Sequence, residues 1–413
     1  MPSTDTIIIG AGQAGLALSH HLCAAGADHV LLERARIGER WRSERWSSLH
    51  LLSPNWISRL PGSAPPADPH GFRAVADVVA DLEAYARSFR APVLERQPVE
   101  AVVRSGDGYR VRTGTTTWDA ASVVVATGDC DRPRIPEVAT DAPGRLLQLH
   151  AAGYRRPQEL PAGGVLVVGA GPTGQQLALE LRRAGRRVVL AVGSHVRMLR
   201  RYRGRDAFAW YSALGRLEQT IDEMPDPDAA RRGRGAVLTG ARGGEQLDLH
   251  VLEAAGVELA GRLVGFHGDV ARFAGDLPRT IAGADAALDE MLASIDAHIR
   301  STGALAPAPP ARTDVVPPVR ADRATHTVAL RGFSTVLWAT GYRRAYPWLH
   351  VPVVDAAGEI VHDHGATASP GLHVLGLRFQ RHRGSHFIGG VGRDAGDLAV
   401  ELLRRRPAVG LAA

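Results

Sequence analysis

The sequence carries one glycine-rich fingerprint twice, as Gly10-Ala-Gly12-Gln-Ala-Gly15 and Gly169-Ala-Gly171-Pro-Thr-Gly174. Each copy follows a β-branched or aliphatic run, Thr6 to Ile9 and Val165 to Val168. Each opens an apolar-periodic segment, through Leu16, Leu18 and Leu22 or through Leu177, Leu179 and Leu181. That order reads as strand, tight turn, helix. The glycines explain the chemistry, because the turn must bring backbone N–H groups against a pyrophosphate while the helix behind it directs its positive end to the same place. A single copy is a weak signal. Two copies in the same local context predict two dinucleotide-binding units, an α/β chain with two Rossmann-like domains.

The copies differ where nucleotide choice is made. Val30-Leu-Leu-Glu33 reads as a second buried strand, and Glu33 follows Gly15 at the roughly 20-residue spacing of an acid that binds an adenosine ribose. At the same distance beyond Gly174 stand Val192, Gly193 and Ser194, with no acid. A carboxylate there would repel a 2′-phosphate, so the first site suits FAD and the second allows NADPH. Arg197, Arg200, Arg201, Arg203 and Arg205 follow closely. Guanidinium groups match phosphate geometry, although a solvated arginine-rich face gives the same pattern.

The rest of the chain organises around these units. Residues 77–89 place Val78, Val79, Leu82, Tyr85, Ala86 and Phe89 on one helical face. Val99 to Val103 and Tyr109 to Thr113 alternate around Gly106-Asp-Gly108, a hairpin. Ser122-Val-Val-Val-Ala-Thr-Gly128 is a buried strand closed by glycine, and Thr335-Val-Leu-Trp-Ala-Thr-Gly341 repeats it. A helix is expected at Ala286 to Ile299, a flexible Pro-rich stretch at Ala304 to Pro318, a strand at Leu372 to Leu375 and a terminal helix at Asp394 to Leu403. The expected division is a discontinuous FAD domain, 1–160 and 331–413, with an NADPH domain inserted at 161–330 and a substrate-pocket insertion within it at about 206–300.

Composition removes whole classes. The 413 residues, 45% hydrophobic and 22% charged, can bury a sizeable core. Every one of the 49 basic residues is arginine, and without lysine there is no Schiff base, no pyridoxal anchor and no P-loop. Two cysteines far apart, Cys23 and Cys130, exclude a CxxC pair and a thiolate-rich zinc site, and the histidines lack metal spacing. A formal charge of +6 without an aromatic-studded basic stripe argues against nucleic acid. No stretch reaches the ~18 uninterrupted apolar residues of a membrane helix. Asp5 and the interrupting glycines distinguish the run Ile7 to Leu18 from a signal peptide. The expectation is a soluble, cytoplasmic protein.

With His150-Ala-Ala-Gly-Tyr154 between them, the two fingerprints and two Ala-Thr-Gly strands make the chain resemble the class B flavoprotein monooxygenases, the flavin-containing and Baeyer–Villiger group. The segments Arg45 to Trp56, Arg201-Tyr-Arg-Gly-Arg-Asp206 and Gly389-Gly-Val-Gly-Arg-Asp394 are similar to a bacterial CzcO-like subgroup. The resemblance covers nearly the whole chain. It implies FAD on the first fingerprint and NADPH on the second. It also implies O₂ chemistry through a C4a-(hydro)peroxyflavin and a small-molecule substrate, with neither nucleic acid nor membrane as partner and a homodimer left open. The linker departs from the family signature, with Gly144 set too far before His150 and no phenylalanine ahead of it. Tyr154 stands where the Baeyer–Villiger enzymes carry tryptophan, which favours heteroatom oxygenation.

By the same resemblance Asn55 matches an asparagine near the reactive face of the flavin, with a plain turn residue after Pro54 as the equal alternative. The cofactor-binding candidates are Gly10, Gly12, Gly15, Glu33, Arg34, Arg40, Trp41, Gly128, Gly169, Gly171, Gly174, Ser194, Arg200, Arg201, Arg203, Gly341 and Gly390. His150 is expected to bond to backbone, and His386 lies beside the last glycine-rich loop. Two other readings stay open: a flavin reductase serving a quinone or another acceptor, and a non-catalytic redox sensor.

Overall fold

The computed structural model describes residues 1–114, 116–310, 318–319 and 325–405. The first strand, Ser3–Ile9, leads through Gly12, the N-cap, into the helix Gln13–Ala24. It lies between the parallel strands His29–Leu32 and Thr116–Val125. A strand buried on both faces must be apolar throughout, and its successive residues point opposite ways. Ile8 packs with Leu31 and Val124 among Leu16, Leu18 and Leu398 of the covering helices. Ile7 and Ile9 pack with Val30, Leu32, Val123 and Val125 on the other face, against Tyr109 and Leu349. Each such side chain contributes roughly 1.5–3 kcal/mol by leaving water.

The hairpin Val99–Ser105 and Gly108–Thr113 pairs antiparallel with the first half of Thr116–Val125. The second half of that long strand pairs parallel with Leu372–Val374. The chain thus returns to the first sheet late, first where Leu349 bridges Val102 and then with Leu372–Val374.

The second sheet has five parallel strands in the order Glu258–Ala260, Val188–Ala191, Gly164–Val168, Phe333–Trp338, Leu147–His150. Helices Pro172–Arg183 and Leu249–Ala254 cover one face. A three-stranded antiparallel sheet, Leu263–His267, Val270–Phe273 and Thr327–Ala329, covers the other. This membership corrects the expected domain limits. Leu147–His150 and Phe333–Trp338 fall on the FAD side of the expected division, yet their ladders run into the second sheet. The physical reason is that an apolar strand ending in Ala-Thr-Gly suits the middle of either sheet, so its sequence does not say which one it joins. The chain crosses before Leu147 and again after Trp338, and the crossing segments Arg132–Pro133 and Tyr342–Arg343 pair as a short antiparallel ribbon.

The helix expected at 286–299 runs from Leu277 to Thr302, with Pro278 in its first turn and Gly303 closing it at φ 64°. Its Leu288, Met291, Leu292 and Ile295 pack on Phe208 and Trp210, so the insertion builds a small core of its own. Of the Pro-rich stretch, residues 311–317 lie outside the described residues. Among the described residues, no helix is long and apolar enough to cross a membrane.

Candidate active site

A cavity of about 340 Å³ opens beside the first fingerprint, and Gly10, Gly12, Glu33, Arg34, Arg40, Trp41 and Gly128 are among its walls. Gly10 takes φ +107°, and a Cβ there would stand 2.8 Å from the Ala126 carbonyl oxygen. A Cβ on Gly15 would overlap the Gly10 carbonyl oxygen, while one on Gly12 would meet nothing within 4 Å. The three positions therefore serve a left-handed turn, open approach to the cavity, and close packing of helix on strand. Glu33 is 7% exposed; its Oε2 accepts the Ala11 N–H at 2.8 Å and its Oε1 the Ala35 N–H at 3.1 Å. Those bonds fix the carboxylate at the wall and leave lone pairs for ribose hydroxyls. Trp41 donates Nε1–H to Gln13 at 3.3 Å, and the Arg45 guanidinium lies 5.6 Å from its ring. Arg34 pairs with Glu44 at 3.1 Å, and Arg40 pairs with Asp131, so both cations at the rim already have acids beside them. FAD fits this set: open glycine backbone for the pyrophosphate and a fixed acceptor for the ribose.

The second fingerprint repeats the geometry. Gly169 takes φ +109° and rests on the Ala339 carbonyl as Gly10 rests on that of Ala126; Gly174 abuts Gly169, and Gly171 is open. The two Ala-Thr-Gly sequences thus share one purpose. Each supplies the small strand end on which its fingerprint turn lies, and Gly128 and Gly341 then leave with φ +72° and +82°.

Ser194 lies exposed just beyond the strand Val188–Ala191. The arginines after it are largely committed elsewhere. Arg197 is buried between Asp248 at 2.9 Å and Asp285 at 2.6 Å. Arg200, 1% exposed, pairs with Asp206 at 2.5 Å and donates to Leu52 O at 2.7 Å. Burial holds its pKa below the ordinary arginine value, with Asp206 opposing. Arg203 pairs with Asp296 at 2.8 Å. The phosphate role expected of Arg200 and Arg203 is not carried by this geometry, because their charges are already balanced. Arg201 remains exposed, donating to the Gly243 and Gly244 carbonyls at 3.0 and 3.1 Å.

Sequence reasoning missed Arg234. Val196 and Ala236 form a parallel bridge, with the Val237 N–H donating to Val196 O at 2.9 Å. A Cβ on Gly235 would stand 3.8 Å from the ring of Pro172, in the first turn of the fingerprint helix. Arg234 lies two residues before that bridge, next to Gly235. It is exposed, and among the described residues no hydrogen bond or ion pair holds it. The contact joins segments distant in sequence, so no local pattern announces it.

Asn55 is not in the wall of the first cavity. Its Nδ2–H donates to Asp68 O at 2.9 Å and its Oδ1 is buried without a partner. Nearby Ile57 O abuts Gly389, so the Asn55 turn lies against the entry to the terminal helix Val391–Arg404, which Gly390 caps. His150 donates Nε2–H to Gly341 O at 3.0 Å and accepts the Ala152 N–H on Nδ1 at 3.1 Å. Burial lowers its pKa, with the Gly341 bond opposing and Arg45 adding to the shift. His386 is pushed down to about 3 by burial, then by Arg378 and His382. His382 is raised: burial opposes the charge, but the fully buried Asp394, 3.1 Å away, prevails.

A family model for pyridine nucleotide-disulphide oxidoreductases matches residues 7–205. The fold superposes on a flavin-containing monooxygenase from Stenotrophomonas maltophilia with TM-score 0.68 at 21% identity, over 98% of this chain and 99% of that one. A probable indole-3-pyruvate monooxygenase, YUCCA1 of Arabidopsis thaliana, is 34% identical over 47% of this chain and 48% of its own. A CzcO-like oxidoreductase of Geobacillus kaustophilus (strain HTA426) is 30% identical over 97% of this chain and 98% of its own. With near-complete coverage in both directions added to two matching cradles, the chain belongs to the CzcO-like oxidoreductases.

Proposed function

We propose that the protein is an FAD- and NADPH-dependent monooxygenase that transfers one atom of O₂ to a small organic molecule, with a heteroatom as the favoured target. The observation that supports this most is the pairing of two cradles, one with a ribose-binding acid and one without, in a chain similar to proteins named as monooxygenases.

When bound, FAD accepts a hydride from NADPH and activates O₂. The chain's own part is to bind, orient and exclude water. Gly12 admits the pyrophosphate to the backbone, and Glu33 accepts from the ribose. At the second cradle, Ser194 offers a hydroxyl and Arg234 a cation to a 2′-phosphate. The Asn55 amide has two N–H donors; one is spent on Asp68 O, which holds the group, and the other is the donor we assign to the oxygenation step. The terminal helix beyond Gly390, whose Val391 N–H is donated to Phe387 O at 3.1 Å, offers the positive end of its dipole to negative charge nearby.

The test is NADPH-driven turnover under isotopically labelled O₂ with amines, sulfides, ketones and oxo acids. One labelled oxygen atom in a product is expected. Rapid reduction of a quinone with no labelled product from any substrate would overturn the reading in favour of a reductase.

A further inference from the structure

The turn that leads into the terminal helix is zipped to the insertion. The Ile221 N–H donates to Arg381 O at 2.8 Å and the Arg383 N–H to Gln219 O at 2.9 Å, with Thr220 and His382 bridged between them. An open basin of about 530 Å³ lies along this seam, with Leu214, Arg216, Gln219, Glu223, Met224 and Arg383 in its walls. Gly384, next to Arg383, abuts Gly390 through its carbonyl oxygen. Arg383 in the basin wall is thus one residue from the glycine that meets the N-cap of the terminal helix.

Two guanidiniums stand in the basin. Arg383 donates Nε–H to Arg216 O at 3.1 Å and Nη2–H to Gln219 Oε1 at 2.7 Å. Arg216 donates to Ser294 Oγ at 3.4 Å. Among the described residues, neither has a carboxylate partner. Burial and then Arg216 hold the Arg383 pKa below its ordinary value, with Tyr211 acting the other way. Burial raises the Tyr211 hydroxyl pKa, and both guanidiniums oppose that rise.

Three arginines earlier in the chain make the contrast. Arg197, Arg200 and Arg203 each have an aspartate at ion-pair distance. Two half-buried like charges repel, and partly buried cations are ordinarily balanced by a nearby anion. Glu223 is the acid in the basin wall, and its Oε2 accepts the Thr220 N–H at 2.8 Å. Counting it, the basin keeps one surplus positive charge, which matches a monoanion better than a phosphate dianion. The planar fork of arginine also suits a carboxylate.

We infer that Arg216 and Arg383 are the subsite for a substrate carboxylate, so the molecule oxygenated is a small organic acid whose apolar part lies against Leu214 and Met224. Calling the ligand a substrate rests on the monooxygenase reading; the anion subsite itself does not.

The FAD-loaded full-length protein, titrated calorimetrically with two matched pairs, tests this: methylthioacetate and benzoate against their methyl esters. The acids should bind about 10-fold or more tightly than the esters. Arg216→Gln and Arg383→Gln should each reduce acid binding to the level of the ester, with ester binding itself unchanged. Should Arg383→Gln fail to fold, Arg216→Gln decides, since its side chain makes a single long bond to Ser294. Acids and esters binding equally, no acid binding at millimolar concentration, or full preference retained in the folded variants would overturn the subsite. Acids that bind without any being oxygenated would leave the subsite standing and sink the oxygenase reading. Oxygenated esters with no acid binding would do the reverse.

Discussion

Arg234 and its neighbours Arg197, Arg200 and Arg203 are the same residue type with opposite circumstances, and the difference is whether an aspartate is already there. Arg234→Ala should weaken 2′,5′-ADP by roughly 10 to 150-fold, the worth of one charge-assisted contact, and leave 5′-AMP unchanged. Wild type binding both ligands equally would remove the NADPH preference itself, whereas a variant that keeps the preference would remove only Arg234. Arg197→Ala should instead cost about 3–5 kcal/mol of stability, because it strands the buried Asp248 carboxylate. The sequence made these arginines look alike because Asp248, Asp285 and Asp296 meet them only in the folded chain. Asn55→Ala should leave FAD binding and anaerobic reduction intact while product falls and hydrogen peroxide rises; full coupling in the variant would reduce Asn55 to the turn residue that Pro54 suggests. Acid should weaken the fold through His386. Its folded pKa of about 3 lies below the unfolded 6.5, so the unfolded chain takes the proton first. Stability is therefore full above the unfolded value and lost as pH falls toward the folded one. His362, pushed to about 4, adds to the slope. A flatter fall of Tm with acid in His386→Asn is the expected result, and an unchanged slope counts against it.

At the scale of elements, the strand-turn-helix units were legible because their chemistry is local: glycine spacing, aliphatic strand and periodic helix lie within one short stretch. Gly12→Val should abolish flavin colour by blocking the open approach to the cavity, and retained FAD would count against the assignment. Gly174→Ala should act differently, since its Cβ would press on the Gly169 carbonyl. Overpacking of this kind costs roughly 1–3 kcal/mol, so a lowered Tm and slow reduction by NADPH should accompany normal FAD content. The antiparallel sheet over the second domain was not legible. Leu263–His267 contains Gly265 at a register shift, and its partner Thr327–Ala329 arrives from beyond the long helix, so no hairpin pattern spans all three strands.

For the whole molecule, the number and kind of domains could be read from the repeat, but not where the chain changes sheets. A fragment spanning 142–345 should fold and bind 2′,5′-ADP, because it holds all five strands of the second sheet. A fragment spanning 161–330 lacks Leu147–His150 and Phe333–Trp338 and should not. Equal folding of both would restore the earlier boundary. The crossing itself has a mechanical meaning. Arg132–Pro133 and Tyr342–Arg343 leave and re-enter side by side, joined by their own ladder. Two strands tied side by side resist twist and shear where a single cord would not, so the ribbon braces the crossing together with the seam at Ile221 and Arg381 and the Arg200 bond to Leu52.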